Sequence, residues 1–394
     1  MKRVLIISHG FPPLLEARSI QIAKILRHLR PHGWDPVVLT VQPERTPIAT
    51  DEGLCDLLPV DLEVHRTGTF ESQFAISLLS RSWSSLLHLP DKQIGWLPFA
   101  TRKAQELLSR GDIDCVLTNA KPFTDHLIGR RLRRRFDTPW VAYFSDPWVD
   151  SPYFQRTSDW QVAVNRRMQR SVVAEADGLL FNNPETLNQV AGDHAAKASI
   201  LPHCYDLDLF ADTAETGRNG RLKLVHTGNF YGLRSPLPLL EAVEDLDADL
   251  WMVGKIDPEH RQAISDRGYG NRAKEIGSVS YLQSLAYMQQ ADVLINVDAP
   301  VEGESVFFPS KLVDYFGTGK PVVGITPEGS TTSRVLKEHG HFVADVNDIE
   351  DIAKAVKQAA ARTSRPFVPP PEFDAERTAG RLAEHLDGVR PCAS

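Results

Sequence analysis

The amino-acid sequence predicts an α/β protein built from two Rossmann-like, doubly wound domains. Short apolar runs of strand length alternate with segments of helical periodicity from end to end. The runs are continuously apolar, which is typical of parallel strands that helices cover on both faces. They fall into two series, and 394 residues are too many for one ordinary hydrophobic core. The sequence therefore predicts two parallel sheets, one in each domain.

The predicted strands follow one another along the chain in these two series. In the first half the apolar runs lie at residues 4–7, 36–40, 115–118, 140–144 and 178–181. Helical patterns separate them, for example at residues 18–32 and 102–110. In the second half the runs lie at residues 222–226, 249–253, 293–297 and 321–325. Ligands of such sheets bind beyond the carboxyl ends of the strands, so the residues that follow each strand are the candidates for a site.

A polar segment with two glycines, residues 211–221, separates the two series and indicates the domain boundary. We therefore expect an N-terminal domain over residues 1–210 and a C-terminal domain over residues 211–365. Four prolines between residues 365 and 373 predict an extended spacer. An amphipathic helix at about residues 374–386 follows, so the last segment, 366–394, is expected to cross back to the N-terminal domain.

The composition is that of a globular protein, with 42% hydrophobic and 24% charged residues. The net charge of -7 argues against nucleic acid as the main partner, because a phosphate backbone requires a basic face. The four cysteines are far apart and indicate reduced thiols in the cytoplasm rather than a zinc site or a disulfide framework. No apolar stretch approaches the roughly 20 residues that span a bilayer.

The most informative segment reads FFPSKLVDYFGTGKPVVG, residues 307–324. Pro309 suits the first position of a helix, Ser310 and Lys311 fall in its first turn, and Asp314 lies one turn further on. A helix N-terminus with a lysine is suited to phosphate, and a carboxylate one turn deeper suits the two hydroxyls of a ribose. The residues alone leave a second interpretation open, a well-capped surface helix with a Lys–Asp pair.

The part PSKLVDYFGTGKPVV resembles the nucleotide-sugar motif of GT-B glycosyltransferases, in the family usually called glycosyltransferase family 4. Members that build bacterial surface polysaccharides carry a similar proline-serine-lysine, followed by an acidic residue and Gly-Lys-Pro. The resemblance implies that Lys311 faces the donor phosphates and that Asp314 holds the ribose. Two positions depart from the pattern, since the family usually has glutamate in place of both Asp314 and Val306. Glu302 and Glu304 lie nearby but out of register, and Glu304 is our candidate for a catalytic contact with the donor sugar.

The resemblance implies further donor contacts in the C-terminal domain. The first strand of that domain ends in a loop with a glycine that allows close approach of the diphosphate. Two cationic side chains are candidates to bind the negative charge of that diphosphate. The segment IGSVSYLQSLAYMQQADVLIN resembles the part that binds the base through main-chain groups. The implied donor-binding residues, besides Ser310, Lys311 and Asp314, are Gly228, Asn229, Arg234, Lys255, Ser280 and Tyr281.

The N-terminal domain is expected to present the acceptor across a cleft. Relatives carry Asp-Pro-Trp or His-Asp where this chain has Asp146, which makes Asp146 a candidate to orient or deprotonate the acceptor hydroxyl. The alternative is an aspartate that caps the next turn. Asn119 and Lys121 follow another strand and are acceptor-side candidates. Glu16 stands where many members have a glycine, so it is expected near the sugar or the acceptor.

Two segments suggest contact with the inner face of the cytoplasmic membrane. Residues 129–136 hold five arginines, and residues 72–90 carry apolar side chains near helical spacing. Together they suit an anionic leaflet that supplies a lipid-linked acceptor. The alternative is a solvated basic face and a buried amphipathic helix.

The resemblance thus implies a metal-independent, hexosyltransferase-type glycosyltransferase. The donor is a nucleotide diphosphate sugar of the UDP or GDP type, no further cofactor is needed, and the acceptor is a glycan or a lipid-linked glycan. Transfer is expected to retain the anomeric configuration. Two alternatives stay open: a nucleotide-sugar epimerase on the same fold, and a non-catalytic nucleotide-sugar-binding assembly protein.

Overall fold

A computed structural model describes residues 1–70, 89–149, 158–210, 220–300 and 305–390 of the chain. The contacts divide the chain into two compact units. The first unit comprises Met1–His203 and Ala375–Ser394, and the second comprises Cys204–Asp374. The first boundary thus lies a few residues before the predicted one at residue 210, and the C-terminal segment belongs to the first unit.

The first unit contains a parallel sheet of seven strands among the residues described. Its order is β3-β2-β1-β4-β5-β6-β7, so the order reverses beside β1. The strands are β1 (Lys2–Ile7), β2 (Trp34–Val41), β3 (Glu63–Thr67), β4 (Cys115–Ala120), β5 (Trp140–Phe144), β6 (Gly178–Phe181) and β7 (Ala198–Ile200).

Helices cover this sheet and bury a core of aliphatic and aromatic side chains. The C-terminal helix packs against the first one. The helices are α1 (Ala17–Arg27), α2 (Leu97–Leu108), α3 (Thr124–Arg133), α4 (Asp159–Glu175), α5 (Pro184–Val190) and, at the end of the chain, α12 (Ala375–Gly388).

The second unit contains a parallel sheet of six strands, again counted over the described part of the chain. Its order is β10-β9-β8-β11-β12-β13, so the order reverses between β8 and β11. The strands are β8 (Leu222–Thr227), β9 (Ala248–Val253), β10 (Ala273–Gly277), β11 (Val293–Val297), β12 (Val322–Ile325) and β13 (Phe342–Ala344). The helices around it are α6 (Leu237–Ala242), α7 (Pro258–Asp266), α8 (Tyr281–Gln289), α9 (Ser310–Gly317), α10 (Thr331–Glu338) and α11 (Ile349–Ala360).

The predicted fold class, two Rossmann-like α/β domains with parallel sheets, is confirmed. All nine predicted strands are present, three with the predicted ends and the others with ends that shift by one or two residues. The first predicted helix was too long: α1 ends at Arg27, and Pro31 lies in a separate 3₁₀ turn, Arg30–His32. The second was too short, because α2 begins at Leu97.

Candidate functional site

The candidate site of the second unit lies where its strand order reverses. Here β8 ends in Thr227, and Asp298 directly follows β11. The first turn of α9 reaches the same point, since Lys311 Nζ lies 3.3 Å from His226 Nε2. This is the crevice in which open parallel sheets bind their ligands.

Helix α9 is fixed against both strands at this point. The sequence predicted Pro309 as the first residue of this helix. Pro309 is instead its N-cap, and the helix begins at Ser310. Residues 312–316 are buried, and the Tyr315 hydroxyl accepts a hydrogen bond from the Thr227 N–H at 2.9 Å and donates one to the Ile295 carbonyl at 3.3 Å. The predicted surface helix with a Lys–Asp pair is therefore wrong. The first amide N–H groups of a helix have no intrahelical acceptor, so those of Ser310 and Lys311 are available to a ligand.

Lys311 is half-buried, and its charge has no acidic partner within 4 Å among the described residues. Burial lowers the pKa of its ammonium well below the usual value. Nearby Arg234 lowers that pKa further, whereas Asp298 opposes the change. An anion at this position would therefore be stabilised by Lys311 and would in turn stabilise its charged form.

Arg234 supplies a second cation to the same region from the loop after β8. Its guanidinium lies over the Tyr231 ring, 5.5 Å from the ring centroid. Its Nε atom is buried and has no hydrogen-bond partner in the described part of the protein. A buried guanidinium N–H without an acceptor is costly, which favours an acceptor from a ligand.

Gly228 brings the backbone close to these charges. Its φ of 121° lies in the region that favours glycine, and an added Cβ would lie 3.3 Å from Lys311 Nζ. The neighbouring Gly254 is equally restricted, since a Cβ there would lie 2.2 Å from the Gly228 carbonyl oxygen. The two strand ends thus meet backbone to backbone, and the Gly228 backbone lies close to Lys311.

The side chain of Asn229 holds the two loops together rather than pointing at an open space. Its Oδ1 atom accepts a hydrogen bond from the Lys255 N–H at 2.8 Å, and the Phe230 N–H donates to the Lys255 carbonyl at 2.9 Å. Lys255 itself is exposed. Asn229 and Lys255 therefore lie together, joined through the backbone of the second loop.

Asp314 and Tyr281 are also brought together. Asp314 is 4% exposed, and the buried Tyr281 hydroxyl donates to its Oδ1 atom at 3.2 Å. Burial, together with the Asp314 charge, raises the pKa of Tyr281 well above its usual value, so this hydroxyl keeps its proton. Ser280 is the N-cap of α8, and its N–H donates to the Gln283 side chain at 3.1 Å. Because that N–H already forms a hydrogen bond in the capping box, it is not available for the predicted main-chain contact with a nucleotide base.

The acceptor-side candidates all lie in the first unit. Lys121 and Asp146 follow the adjacent strands β4 and β5, and Lys121 Nζ lies 3.7 Å from Asp146 Oδ2. Ser145 Oγ donates to the same carboxylate oxygen at 3.0 Å. Asn119 is fully buried and donates to Ser8 Oγ at 3.2 Å, so its side chain is part of the interior and not of an accessible surface. Lys121 and Asp146 therefore lie side by side, whereas the buried Asn119 side chain does not belong to this pair.

Glu16 is the N-cap of α1, and its carboxylate lies over the loop that follows β1. Its Oε2 atom would be 2.6 Å from a Cβ at Gly10. Next to it, the Arg18 guanidinium lies over the Tyr143 ring at 4.9 Å from the centroid. This chain therefore has a carboxylate at the position where, by the family resemblance, many members have a glycine.

Two of the predicted candidates fall outside the residues described. These are Glu304, the predicted catalytic glutamate, and its neighbour Glu302; most of the apolar segment at residues 72–90 is also outside. The arginine-rich segment is described, and much of its charge is used within the fold. Arg133 Nε lies 2.7 Å from Asp177, and Arg134 forms two hydrogen bonds with Glu175 at 2.6 and 2.7 Å. Among the residues that the structure describes, none of the helices is long and apolar enough to cross a membrane.

Sequence reasoning missed two residues of the site, His226 and Tyr315. His226 is fully buried near the end of β8, and its ring stacks on Phe230 with 4.2 Å between ring centroids. Its signal in the sequence is weak, since it is one of three polar residues in the strand LKLVHT. Tyr315 is read as one more aromatic residue of an amphipathic helix, although its hydroxyl fixes that helix to the sheet.

Two family models match consecutive parts of the chain. Residues 19–203 match the model of the glycosyl transferase 4-like domain, and residues 220–362 match that of the glycosyl transferases group 1. The two matches together cover most of the chain. Among the curated proteins, none matches this sequence.

Several solved structures share the fold at low sequence identity. The HepE protein of Anabaena, in complex with UDP, has a TM-score of 0.65 and 18% identity over 99% of this chain and 100% of its own. Sucrose-phosphate synthase from Thermosynechococcus elongatus has a TM-score of 0.67 and 16% identity over 99% and 95% of the two chains. A protein of Listeria monocytogenes described as a putative UDP-N-acetylglucosamine 2-epimerase has a TM-score of 0.63 and 13% identity over 99% of each chain.

Proposed function

The chain belongs to the glycosyltransferases, with a 4-like domain followed by a group 1 domain, and on that premise we propose the reaction it catalyses. It transfers a sugar from a nucleotide diphosphate sugar to a glycan or lipid-linked acceptor, in the synthesis of a cell-surface polysaccharide or glycolipid. One observation carries the donor half of this proposal. Two cations, Lys311 and Arg234, converge at the N-terminus of α9, and in the described residues neither has a carboxylate within 4 Å.

The diphosphate of the donor supplies the missing negative charge. Its oxygens accept hydrogen bonds from Lys311, Arg234 and the first amide N–H groups of α9, and Gly228 permits the approach. When the bond between the sugar and the diphosphate breaks, the leaving group gains charge, and these donors stabilise it. The positive charge comes from side chains, so the proposed transfer needs no metal.

Asp314 is assigned to the ribose hydroxyls, with the Tyr281 hydroxyl holding its carboxylate in position. On the acceptor side, Asp146 is assigned to the hydroxyl that attacks the sugar, and its carboxylate is held by Ser145 and Lys121. A carboxylate in hydrogen-bonding reach of that hydroxyl removes its proton as the new bond forms. The proposed transfer retains the configuration of the sugar, as the family resemblance implies.

Incubation of the purified protein with UDP-glucose, UDP-N-acetylglucosamine or GDP-mannose, followed by NMR, tests this proposal. With a glycan or lipid-linked acceptor fraction present, we expect the sugar signal to move into a glycosidic product and free UDP or GDP to appear. Release of a free sugar epimer without any acceptor would favour the alternative function, that of a nucleotide-sugar epimerase. The putative epimerase of Listeria monocytogenes has a similar fold. Binding without turnover in any mixture would favour a non-catalytic protein.

The variant Asp146→Asn provides the matched control for the acceptor side. It retains the size of the side chain and its hydrogen bond with Ser145 but loses the base. We expect transfer to fall by at least about 100-fold, as is typical for loss of a general base, with donor binding unchanged. Full transfer activity in this variant would remove Asp146 from the reaction and leave the donor site unaffected.

A further inference from the structure

We propose that His226 is a positioning residue for Lys311. Its neutral imidazole accepts a hydrogen bond from the Lys311 ammonium and holds that group in front of Gly228, without neutralising its charge. The inference rests on the proposed function, because it concerns the lysine that is assigned to the donor diphosphate. It adds a residue from the end of β8 to the site.

The hydrogen bonds of His226 fix which ring nitrogen carries the proton. Nδ1 lies 3.0 Å from the Ile295 carbonyl oxygen, which only accepts hydrogen bonds. Nδ1 therefore carries the proton, and in the neutral ring Nε2 has a free electron pair. That electron pair faces Lys311 Nζ at 3.3 Å.

The surroundings of the imidazole hold it in this orientation. The ring is fully buried and lies on Phe230, with 4.2 Å between the centroids and an angle of 28° between the planes. Its two nitrogens contact different elements, β11 through Ile295 and α9 through Lys311. A rigid acceptor of this kind selects one arrangement of a long lysine side chain, which otherwise loses considerable rotamer freedom when it binds a ligand.

Burial and the surrounding charges keep His226 neutral. Burial is the main reason that the pKa of His226 lies well below its usual value. Lys311 faces it from α9 and Arg234 from the loop after β8, and both lower this pKa further. The nearby acid Asp298 acts on Lys311 from the loop after β11.

A neutral acceptor has an advantage over a carboxylate at this position. A buried glutamate would form an ion pair with Lys311, and that pair would compete with the diphosphate for the ammonium. An imidazole holds the ammonium with a hydrogen bond but leaves its net charge available. The arrangement thus orients the lysine and leaves its charge available to an anion.

The test compares His226→Phe with His226→Gln in the full-length protein. Phenylalanine retains the ring and its stacking but has no acceptor, whereas the glutamine Oε1 atom replaces the acceptor at Nε2. We expect His226→Phe to bind UDP or GDP, whichever the wild type binds, about tenfold more weakly, and His226→Gln to recover most of that loss. Binding of the matching nucleoside, uridine or guanosine, should be equal in all three proteins, because it has no phosphate to reach Lys311.

Three results would overturn the inference. In the first, His226→Phe binds the nucleoside diphosphate as tightly as the wild type, although Lys311→Ala binds it more weakly. Lys311 then remains assigned to the donor site, and His226 has no role in it. In the second, nucleoside and diphosphate binding fall together, which indicates a purely structural role. In the third, the wild type binds no nucleoside diphosphate, and the proposed function fails as well.

A measurement on the wild type covers the case in which the buried variants do not fold. NMR of protein with ¹⁵N-labelled histidine identifies the protonated nitrogen of each ring. We expect His226 in the Nδ1–H form, with an Nε2 signal that shifts when UDP or GDP is added. An Nε2–H form, or an imidazolium at neutral pH, would contradict the hydrogen bond from Lys311.

Discussion

Lys311 is a half-buried lysine whose charged group has no carboxylate within 4 Å among the described residues. Its partner is the uncharged His226, and the next cation, Arg234, is close enough to disfavour its charge. Such a residue lowers the stability of the free protein and becomes favourable when an anion binds. Perturbed groups of this kind are typical of functional sites.

Binding of a nucleoside diphosphate should therefore take up protons through Lys311. The pKa of the free lysine is lowered by burial, and a bound diphosphate raises it again because the anion favours the charged form. The affinity for UDP or GDP should fall as the pH rises above the lowered pKa of the free protein, until the pKa of the bound form is passed. Titration calorimetry in buffers of different ionisation enthalpy measures this proton uptake.

The variant Lys311→Arg is the control for this effect. A guanidinium remains protonated throughout the accessible pH range, so proton uptake at this position should disappear. If the variant binds UDP or GDP with the same proton uptake as the wild type, another group is responsible.

Single residues were predictable from the sequence where they belong to a contiguous motif. Lys311 and Asp314 are separated by one helical turn and could be recognised together. His226 could not, because both its hydrogen-bond partners are remote in sequence: Ile295 is 69 positions away and Lys311 is 85. The Tyr281 hydroxyl on Asp314 is another contact that only the packed structure reveals.

At the scale of elements, the interior strands were predictable and the edge strands were not. The interior strands are buried on both faces and therefore appear in the sequence as continuous apolar runs. Strands β3, β7, β10 and β13 were missed, and all of them are short and lie at an edge of their sheet. A strand such as AKEIG, with several exposed positions, carries too little apolar pattern to be distinguished from a loop.

Helix α3 illustrates how a charged segment can serve the fold rather than a membrane. Arg133 binds Asp177, whose side chain is fully buried and also accepts from the Trp140 N–H at 2.9 Å. The variant Arg133→Ala leaves this carboxylate without its cation, and we expect it to lower the free energy of unfolding by about 3 kcal/mol. Urea unfolding followed by circular dichroism measures this difference.

Arg131, two positions earlier on the same helix, is the matched control. It is exposed, so Arg131→Ala should change the free energy of unfolding by less than about 0.5 kcal/mol. Equal effects of the two substitutions would mean that the Arg133–Asp177 pair does not contribute to stability in solution.

At the scale of the whole molecule, five histidines in the described part of the chain have lowered pKa values. Burial lowers the pKa of His126 and of His341 to about 3 and that of His385 to about 4, and it lowers those of His203 and His226 well below the usual value. All five remain neutral in the folded protein at pH 5.5, whereas the unfolded chain protonates them below about pH 6.5. Two buried carboxylates with raised pKa values, Asp91 and Asp125, act in the opposite direction.

The histidines outnumber these carboxylates, so the protein should become less stable as the pH falls from 7.5 to 5.5. The unfolded state binds more protons in this range, and each histidine that titrates fully contributes about 1.4 kcal/mol per pH unit. Thermal unfolding at several pH values measures the effect as a fall in the melting temperature. A melting temperature that is constant or rises toward pH 5.5 would contradict it.

The division of the chain into two units could be predicted from the sequence only in part. The two series of apolar runs predicted two parallel sheets, and the family models match one unit each over most of its length. The boundary was harder to predict, because the second unit begins at Cys204, before the polar segment with two glycines at residues 211–221 that indicated the boundary in the sequence. The C-terminal helix α12 belongs to the first unit although it follows the second in sequence, which the proline-rich spacer made predictable.

The measurement that tests the donor site most directly is calorimetric titration of the wild type and three variants with UDP and GDP. We expect the wild type to bind one of the two nucleotides, and the affinity to fall by at least about tenfold in both Lys311→Ala and Arg234→Ala. Lys337→Ala, an exposed lysine on α10, should bind as the wild type does. Equal affinity in all four proteins, or no binding of either nucleotide, would contradict the assignment of Lys311 and Arg234 to a donor diphosphate.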